Sequence, residues 1–156
     1  MKDIINSFIN DNELALAGVS AKREKWGNAL FRALTKKGYT VYPINPKLDE
    51  VEGVKCYRSV SELPDSIENL ILATPPEATE QIVKDCKDTA IKRIWMHRGG
   101  GGTGAQTDNA IEFVKDNNMQ VVYGLCPMMF YPPVGIHKLH YWMKKLSKKM
   151  PSTYSE

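Results

Sequence analysis

Short apolar segments alternate with amphipathic ones along most of the chain. Five of the apolar segments have the composition of strands, and one of them has the continuous apolar character of a strand covered on both faces of a sheet. The predicted strands comprise residues 14–19, 40–45, 69–74, 91–96 and 120–123, with a short edge strand at 54–57. The intervals between them are long enough to hold helices.

Helical periodicity fills these intervals. An isoleucine and phenylalanine stripe between Ile4 and Ile9 predicts a short first helix, and further helices are predicted at 30–34 (ended by Gly38), 77–89 and 107–117. Because strands and helices alternate, we predict an α/β fold. Its architecture is a Rossmann-like, doubly wound parallel sheet of about five strands with flanking helices, in three αβα layers.

The end of the sequence differs from the rest. Residues 138–149 contain five lysines and no acid, whereas the preceding residues carry 16 basic and 17 acidic side chains. We therefore expect one Rossmann-like domain over residues 1–133, a basic amphipathic helix over 134–150 and a tail over 151–156. The helix is expected to pack on the domain, on a second copy of the chain in a homodimer, or on another protein partner. A body with balanced charge makes a nucleic-acid ligand unlikely.

Composition adds the cellular setting. The 156 residues are 42% hydrophobic and 25% charged, and no apolar run has membrane length. The first residues lack the features of a secretory signal, and the three cysteines are widely separated and odd in number. We expect a cytoplasmic protein with reduced thiols and no membrane association.

The loop after the first strand has the features of an anion site. Gly18 permits close backbone approach, Ser20 offers a hydroxyl, and a helix begins near Lys25 with free N–H groups. Lys22 and Arg23 add positive charge. A phosphate or pyrophosphate fits this loop, and a tight turn with solvated charges is the equal alternative.

The loops after the second and third strands narrow the ligand class. An NAD-binding fold places an acid at the end of the second strand, but this chain has Asn45, Pro46 and Lys47 there. Lys47 would attract a ribose phosphate, as in NADP or coenzyme A, unless it is simply an exposed turn residue. The rigid Thr74–Pro75–Pro76 segment suits an adenine ring or a pantetheine arm, or else only starts a helix.

No catalytic or metal site is predicted. His97 ends the fourth strand before a glycine-rich loop at 99–104, and we favour a ligand contact over a catalytic role for it. An apolar stripe explains the helix that carries His137 and His140 better than a zinc site does. Cys126 has no adjacent base, and the GxSxG and GxxxxGK[ST] signatures are absent from the sequence.

Taken together, these segments resemble the CoA-binding domain family, small Rossmann-type proteins of the YccU-like group. That family is related to the nucleotide-binding domain of the succinyl-CoA synthetase alpha subunit. The resemblance runs from about Leu14 to Tyr131. Its marks are Gly18-Val19-Ser20 with Lys25 and Gly27, residues 38–46, residues 53–57 before 61–64, the strand that ends in Trp95, and Cys126-Pro127.

The resemblance implies a site for coenzyme A or a similar adenine nucleotide. The implied contacts are Gly18, Ser20, Ala21 and Lys25 for the pyrophosphate, Asn45, Pro46 and Lys47 for the adenosine and its phosphate, and Thr74, Pro75, Pro76, Met96 and His97 for the remainder. The expected function is binding of CoA or an acyl-CoA by a small module that is not itself an enzyme. The alternatives are an NADP-dependent oxidoreductase or other nucleotide-binding enzyme, and a scaffold that docks through its C-terminal helix.

Overall fold

The computed structural model describes residues 1–98 and 104–131, together with 142–143 and 145–146. Within these residues the chain forms seven strands and four α-helices. The strands are β1 (Glu13–Ala17), β2 (Thr40–Ile44), β3 (Glu50–Val51), β4 (Val54–Lys55), β5 (Asn69–Leu72), β6 (Arg93–His97) and β7 (Gln120–Leu125). The helices are α1 (Lys2–Asn10), α2 (Trp26–Lys36), α3 (Pro76–Asp85) and α4 (Asp108–Asp116).

Five of the strands form one parallel sheet in the order β2-β1-β5-β6-β7. The chain moves outward from β1 to β2 and then crosses to β5 on the other side of β1. The gap between the loops that follow β1 and β5 is thus the switch point where such folds bind ligands. The predicted fold class, a Rossmann-like doubly wound sheet, is confirmed.

Side chains alternate between two cores, one on each face of the sheet. Leu14, Leu16 and Trp95 pack with α1 and α2, and this side is rich in aromatic rings. Ala15, Ala17 and their neighbours pack with α3 and α4, and the buried members of this cluster are mostly aliphatic, with aromatic rings only at its partly buried edge. Because both faces are covered, the strands have the continuous apolar sequences from which they were predicted.

The predicted edge strand at 54–57 was only partly right. Val54–Lys55 pairs antiparallel with Glu50–Val51, outside the main sheet, and Tyr57 makes a single bridge to Ile44. The hairpin forms because Glu52 and Gly53 both have positive φ, 51° and 81°, which is the geometry of a type I′ turn. Likewise, the helix predicted at 77–89 ends at Asp85 and continues as a 3₁₀ turn, Cys86–Asp88.

The predicted C-terminal helix lies outside the described residues except at 142–143 and 145–146, which are helical. Trp142, Met143 and Leu146 are exposed there. The domain boundaries and the docking of this segment therefore stay predictions. The same holds for the role of the glycine-rich loop at 99–103 and for the roles of His137 and His140, which lie outside the described residues. Among the described residues, no helix is long and apolar enough to cross a membrane.

Candidate functional site

A cleft of about 460 Å³ opens at the switch point. Its walls come from the loops after β1, β2 and β5, the first turns of α3 and the segment before the 3₁₀ turn Val60–Glu62. Five of the predicted site residues line it, namely Gly18, Asn45, Pro46, Thr74 and Pro75. The volume lies within the range typical of small-molecule sites.

Two glycines allow the loops around the cleft to approach each other. A Cβ on Gly18, whose φ is 111°, would lie 2.5 Å from the carbonyl oxygen of Ala73 after β5. A Cβ on Gly27, in the first turn of α2, would lie 2.0 Å from the carbonyl oxygen of Gly18. The start of α2 therefore rests directly on the backbone of the first loop, and only glycine permits this contact.

The first turn of α2 has no side-chain cap. The N-cap residue is Lys25, which makes no capping hydrogen bond, and the turn that follows begins with Trp26 and Gly27. Its N–H groups favour an anion because they combine unused donors with the positive end of the helix dipole. Ala21, Lys22 and Lys25 are exposed beside this turn, where the sequence predicted a phosphate.

Ser20 shapes the loop through both its backbone and its side chain. The Ser20 N–H donates to Asn28 Oδ1 at 2.8 Å, and Asn28 Nδ2 donates to the Ser20 carbonyl oxygen at 2.8 Å. The Ser20 hydroxyl accepts from the Lys22 N–H at 3.0 Å. The Ser20 amide is thus already bonded, so the N–H groups of the helix start are the better candidates for an anion.

Glu52 neutralises the arginines near this loop. It lies at the tip of the β3–β4 hairpin, and its side chain is only 7% exposed. Arg23 Nε donates to Glu52 Oε2 at 3.0 Å, and Arg32 donates to Oε1 at 2.6 Å. Burial opposes ionisation of Glu52, but the hydrogen bonds from Arg23, Asn28 and Arg32 outweigh it and lower its pKa. The charge assigned to Arg23 for an anion is therefore engaged within the protein.

Asn45 connects the loops after β1 and β2. Its Nδ2 donates to the Val19 carbonyl oxygen at 2.7 Å, and its Oδ1 accepts from the Lys47 N–H at 2.9 Å. The second bond forms an Asx turn, in which the Asn side chain accepts a hydrogen bond from the backbone N–H two residues later. The side chain of Lys47 is exposed beside the cleft, as the prediction of a ribose-phosphate contact requires.

The proline segment both lines the cleft and starts a helix. Pro75 is the N-cap of α3 and Pro76 its first residue, where a missing N–H costs no hydrogen bond. The Thr74 hydroxyl lies 2.7 Å from that of Thr79, so these two side chains satisfy each other. Both interpretations of this segment, a wall and a helix start, therefore apply.

The end of β6 does not form one wall, as the sequence suggested. Met96 is fully buried in the core beneath α3 and α4, so its side chain is not on the cleft surface. His97 follows it and points to the opposite face of the sheet. Its ring packs on that of Trp26, with 5.2 Å between ring centres and an angle of 33°. The reason is the strand period of two, which separates consecutive side chains.

Some important residues were missed by sequence reasoning. Arg58, Gln81 and Asp85 line the cleft, and Asn28 and Glu52 hold the loop beside it. Arg58 is bonded to Asp49 at 2.5 Å, and Gln81 donates to Asp85 at 2.9 Å. Only Glu52 had a sequence signal, because a residue before glycine at a short hairpin tip is a typical turn position.

The described residues contain no group of three or more side chains that could hold a metal ion. The described cysteines are buried. Burial raises the pKa of the Cys56 thiol and raises that of Cys86 to about 12. Burial therefore disfavours the thiolate form of both side chains.

Comparison with known proteins fits this geometry. The family described as "CoA binding domain" matches residues 12–132, most of the chain and all of the cleft. The chain belongs to the CoA-binding domain family. It is also 31% identical to the alpha subunit of an ADP-forming acetate–CoA ligase II from Pyrococcus furiosus, over 88% of this chain and 30% of that subunit.

Among solved structures, the same fold occurs both as most of a small protein and as part of a larger one. A hypothetical protein from Pyrococcus horikoshii OT3 is similar with a TM-score of 0.73 and 30% identity, over 82% of this chain and 87% of that one. A dinucleotide-forming acetyl-coenzyme A synthetase 1 from Ca. Korarchaeum cryptofilum, in complex with phosphate and ADP, has a TM-score of 0.66 and 27% identity. There the match covers 76% of this chain and 27% of that one. The chain thus spans less than a third of the acetate–CoA ligase subunit and less than a third of the acetyl-coenzyme A synthetase.

Proposed function

We propose that the protein binds coenzyme A or an acyl-CoA at the switch-point cleft, and that it catalyses no reaction of its own. The observation that carries this proposal is the position of the cleft directly beside the uncapped start of α2, in a member of the CoA-binding domain family. A nucleotide with a pyrophosphate has both an apolar ring for the cleft and an anionic group for the helix start. The names of the ligase relatives support CoA as that nucleotide.

The cleft suits the adenosine end of the ligand. Its lining is largely apolar, with Ile44, Val60 and Ile82 among the side chains that a flat ring would contact. Gln81 and Asp85 add polar groups that can bond to the edge of a base. A mostly apolar pocket with a few polar groups is the usual composition of a cofactor site.

The phosphates have separate cationic neighbours. The pyrophosphate would lie at the first turn of α2, close to Lys22 and Lys25. The 3′-phosphate of the ribose would lie near Lys47, which the Asn45 turn holds at the end of β2. Charge-assisted hydrogen bonds of this kind are stronger than neutral ones, so each phosphate adds both affinity and orientation.

The absence of catalysis is proposed from the chemistry of the site. The buried thiols of Cys56 and Cys86 have raised pKa values, which disfavours a cysteine nucleophile. Two hydroxyl side chains, those of Ser59 and Thr74, line the cleft. No histidine is among the lining residues, so neither hydroxyl has an imidazole there to activate it. Binding without turnover is the role that these groups can perform.

The test is calorimetric titration with CoA, dephospho-CoA and NADPH. We expect CoA to bind most tightly and dephospho-CoA about tenfold more weakly, because it lacks the phosphate near Lys47. Lys47→Ala should remove that difference between the two ligands. The matched control is Lys84→Ala, which removes an exposed lysine from the last turn of α3 and should change neither affinity.

Two outcomes would contradict the proposal. Undetectable CoA binding at millimolar concentration would reject the ligand, and preferential binding of NADPH would favour a reductase, to be checked by NADPH consumption with a panel of carbonyl compounds. If CoA and dephospho-CoA bind equally to the unaltered protein, the cleft still binds CoA but Lys47 does not recognise its ribose phosphate.

A further inference from the structure

Trp26 combines three properties at the edge of the site. It is the first residue of α2, its side chain is 41% exposed, and its ring packs on His97 at the end of β6. The two rings thus connect the start of α2, which follows β1, with the end of β6, two strands from β1 in the sheet. Together they form an aromatic surface, here called the Trp26–His97 stack.

The Trp26–His97 stack lies across the first loop from the cleft. The cleft opens toward α3, whereas His97 points to the face of the sheet that α1 and α2 cover. The N–H groups proposed for the pyrophosphate lie between them, and one of these belongs to Trp26 itself. A ligand with its adenosine in the cleft and its pyrophosphate at α2 would therefore have the stack directly beside its phosphates.

We propose that the Trp26–His97 stack binds the pantoate part of CoA, the segment with two methyl groups that follows the pyrophosphate. This inference rests on the proposed function. In CoA the pantoate methyls are the first apolar groups beyond the phosphates, and Trp26 is an exposed apolar side chain at the helix start proposed for those phosphates. A large, rigid ring buries such a branched group at low entropic cost.

The stack also selects between ligands. An ADP or a 3′-phospho-ADP ends at the pyrophosphate and leaves the Trp26–His97 stack uncovered. CoA and its thioesters cover it, and all of them share the same pantoate group. The stack is thus a specificity determinant for CoA over simple adenine nucleotides, and it does not distinguish one acyl group from another.

The experiment compares CoA with 3′-phospho-ADP, which carries the same adenosine and phosphates without pantetheine. We expect Trp26→Ala to weaken CoA binding about tenfold and to change 3′-phospho-ADP binding less than twofold. Trp26→Phe should retain most of the affinity for CoA, because a ring remains. Val54→Ala is the control, since Val54 is the other exposed large apolar side chain of residues 1–98, 40% exposed on β4.

Fluorescence gives a second readout that a merely structural role would not change. The emission of the unaltered protein should shift on addition of CoA but not of 3′-phospho-ADP, and Trp26→Phe should abolish this shift. Trp95 is fully buried, so it does not respond to a ligand at the surface, and Trp142, which is exposed, is replaced by Phe in all the proteins compared.

Two results would overturn the inference while leaving the proposed function intact. Equal weakening of both ligands by Trp26→Ala would mean that the ring stacks on adenine or supports the helix start. Unchanged CoA affinity in Trp26→Ala would mean that the arm leaves the loop elsewhere. If the unaltered protein binds neither ligand, both proposals fail together, which distinguishes that case from the first two.

Discussion

The two sides of Gly18 are built in opposite ways. Toward α3, the cleft is lined largely by prolines and aliphatic side chains, with a few polar groups such as Gln81 and Asp85. Toward α2, the loop is held by polar side chains that bond to one another, with Glu52 joined to Arg23, Asn28 and Arg32. Both sides lie at the same edge of the sheet and share the same glycine.

This difference shows that the most charged residues need not be the ones that bind a ligand. The most charged segment of the sequence, residues 22–25, attracts attention as an anion site, yet its arginine is bonded to Glu52. The cleft, by contrast, has few charged residues, and five of the residues that line it were predicted from their positions at strand ends. Side chains that satisfy each other fix a loop in place, and the fixed loop leaves the helix N–H groups available to a ligand.

The contact that joins the two sides is the first prediction to test. Gly27→Ala should destabilise the fold by about 3 kcal/mol, because its Cβ would overlap the Gly18 carbonyl oxygen, a backbone atom that cannot move aside cheaply. The same change at an unobstructed helix position would stabilise by about 1 kcal/mol. Urea unfolding gives the free energy, and CoA titration should show that binding is lost as well.

Gly38→Ala is the control for this variant. Unlike Gly27, Gly38 has a positive φ, 93°, and a Cβ there would meet no atom within 4 Å. Its cost should be about 1 kcal/mol, from backbone strain alone. Equal costs at Gly27 and Gly38 would show that α2 does not rest on the first loop, and the two sides of Gly18 would then be independent.

The polar side can be tested through pH. The folded-state pKa of Glu52 is lowered from 4.5, so its carboxylate stabilises the fold above that value, and this contribution is lost as the pH falls through the lower folded pKa. Glu52→Gln should therefore be less stable than the unaltered protein at pH 7, by less than Gly27→Ala, and the gap should close as the solution becomes acidic. Thermal unfolding across this range measures the gap.

Glu50→Gln serves as the matched variant, since Glu50 lies two residues away on β3 and is exposed. It should show no gap from the unaltered protein at either end of the range. A gap for Glu52→Gln that persists unchanged at low pH would mean that the ionic form of Glu52 does not hold the loop. The polar side would then depend on the Asn28 bonds alone.

The fold was predictable because each strand and helix has its own sequence pattern. Continuous apolar segments such as β5 predict a sheet that is covered on both faces. Gly38 predicts the end of α2, where the structure has a positive φ. The hairpin around Glu52 was mistaken for an edge strand, since local propensity cannot tell which partner a short strand will pair with.

The site was predictable only where the backbone determines it. Gly18, Asn45 and Pro75 lie at strand ends, and the strand order brings them to one cleft. Met96 and His97 were assigned to the same wall, but one residue reverses the direction of a side chain on a strand. The partner of Arg23 is Glu52, 29 residues further along the chain, and such a pairing depends on three-dimensional packing that a single sequence does not reveal.

Asn45 provides the smallest test, because it is the polar link between the loop after β2 and the first loop. Asn45→Ala should cost about 1 kcal/mol, the usual value of a hydrogen bond to a backbone carbonyl, here that of Val19. Asn109→Ala, which removes only an exposed 3.4 Å contact to Glu80, should stay within about 0.5 kcal/mol. CoA affinity should fall in the first variant and not in the second, since Asn45 fixes the Val19 segment that lines the cleft. If the two variants are equally stable and bind CoA equally well, the first loop holds its position without Asn45, and the network around Glu52 is sufficient to shape the cleft from the opposite side.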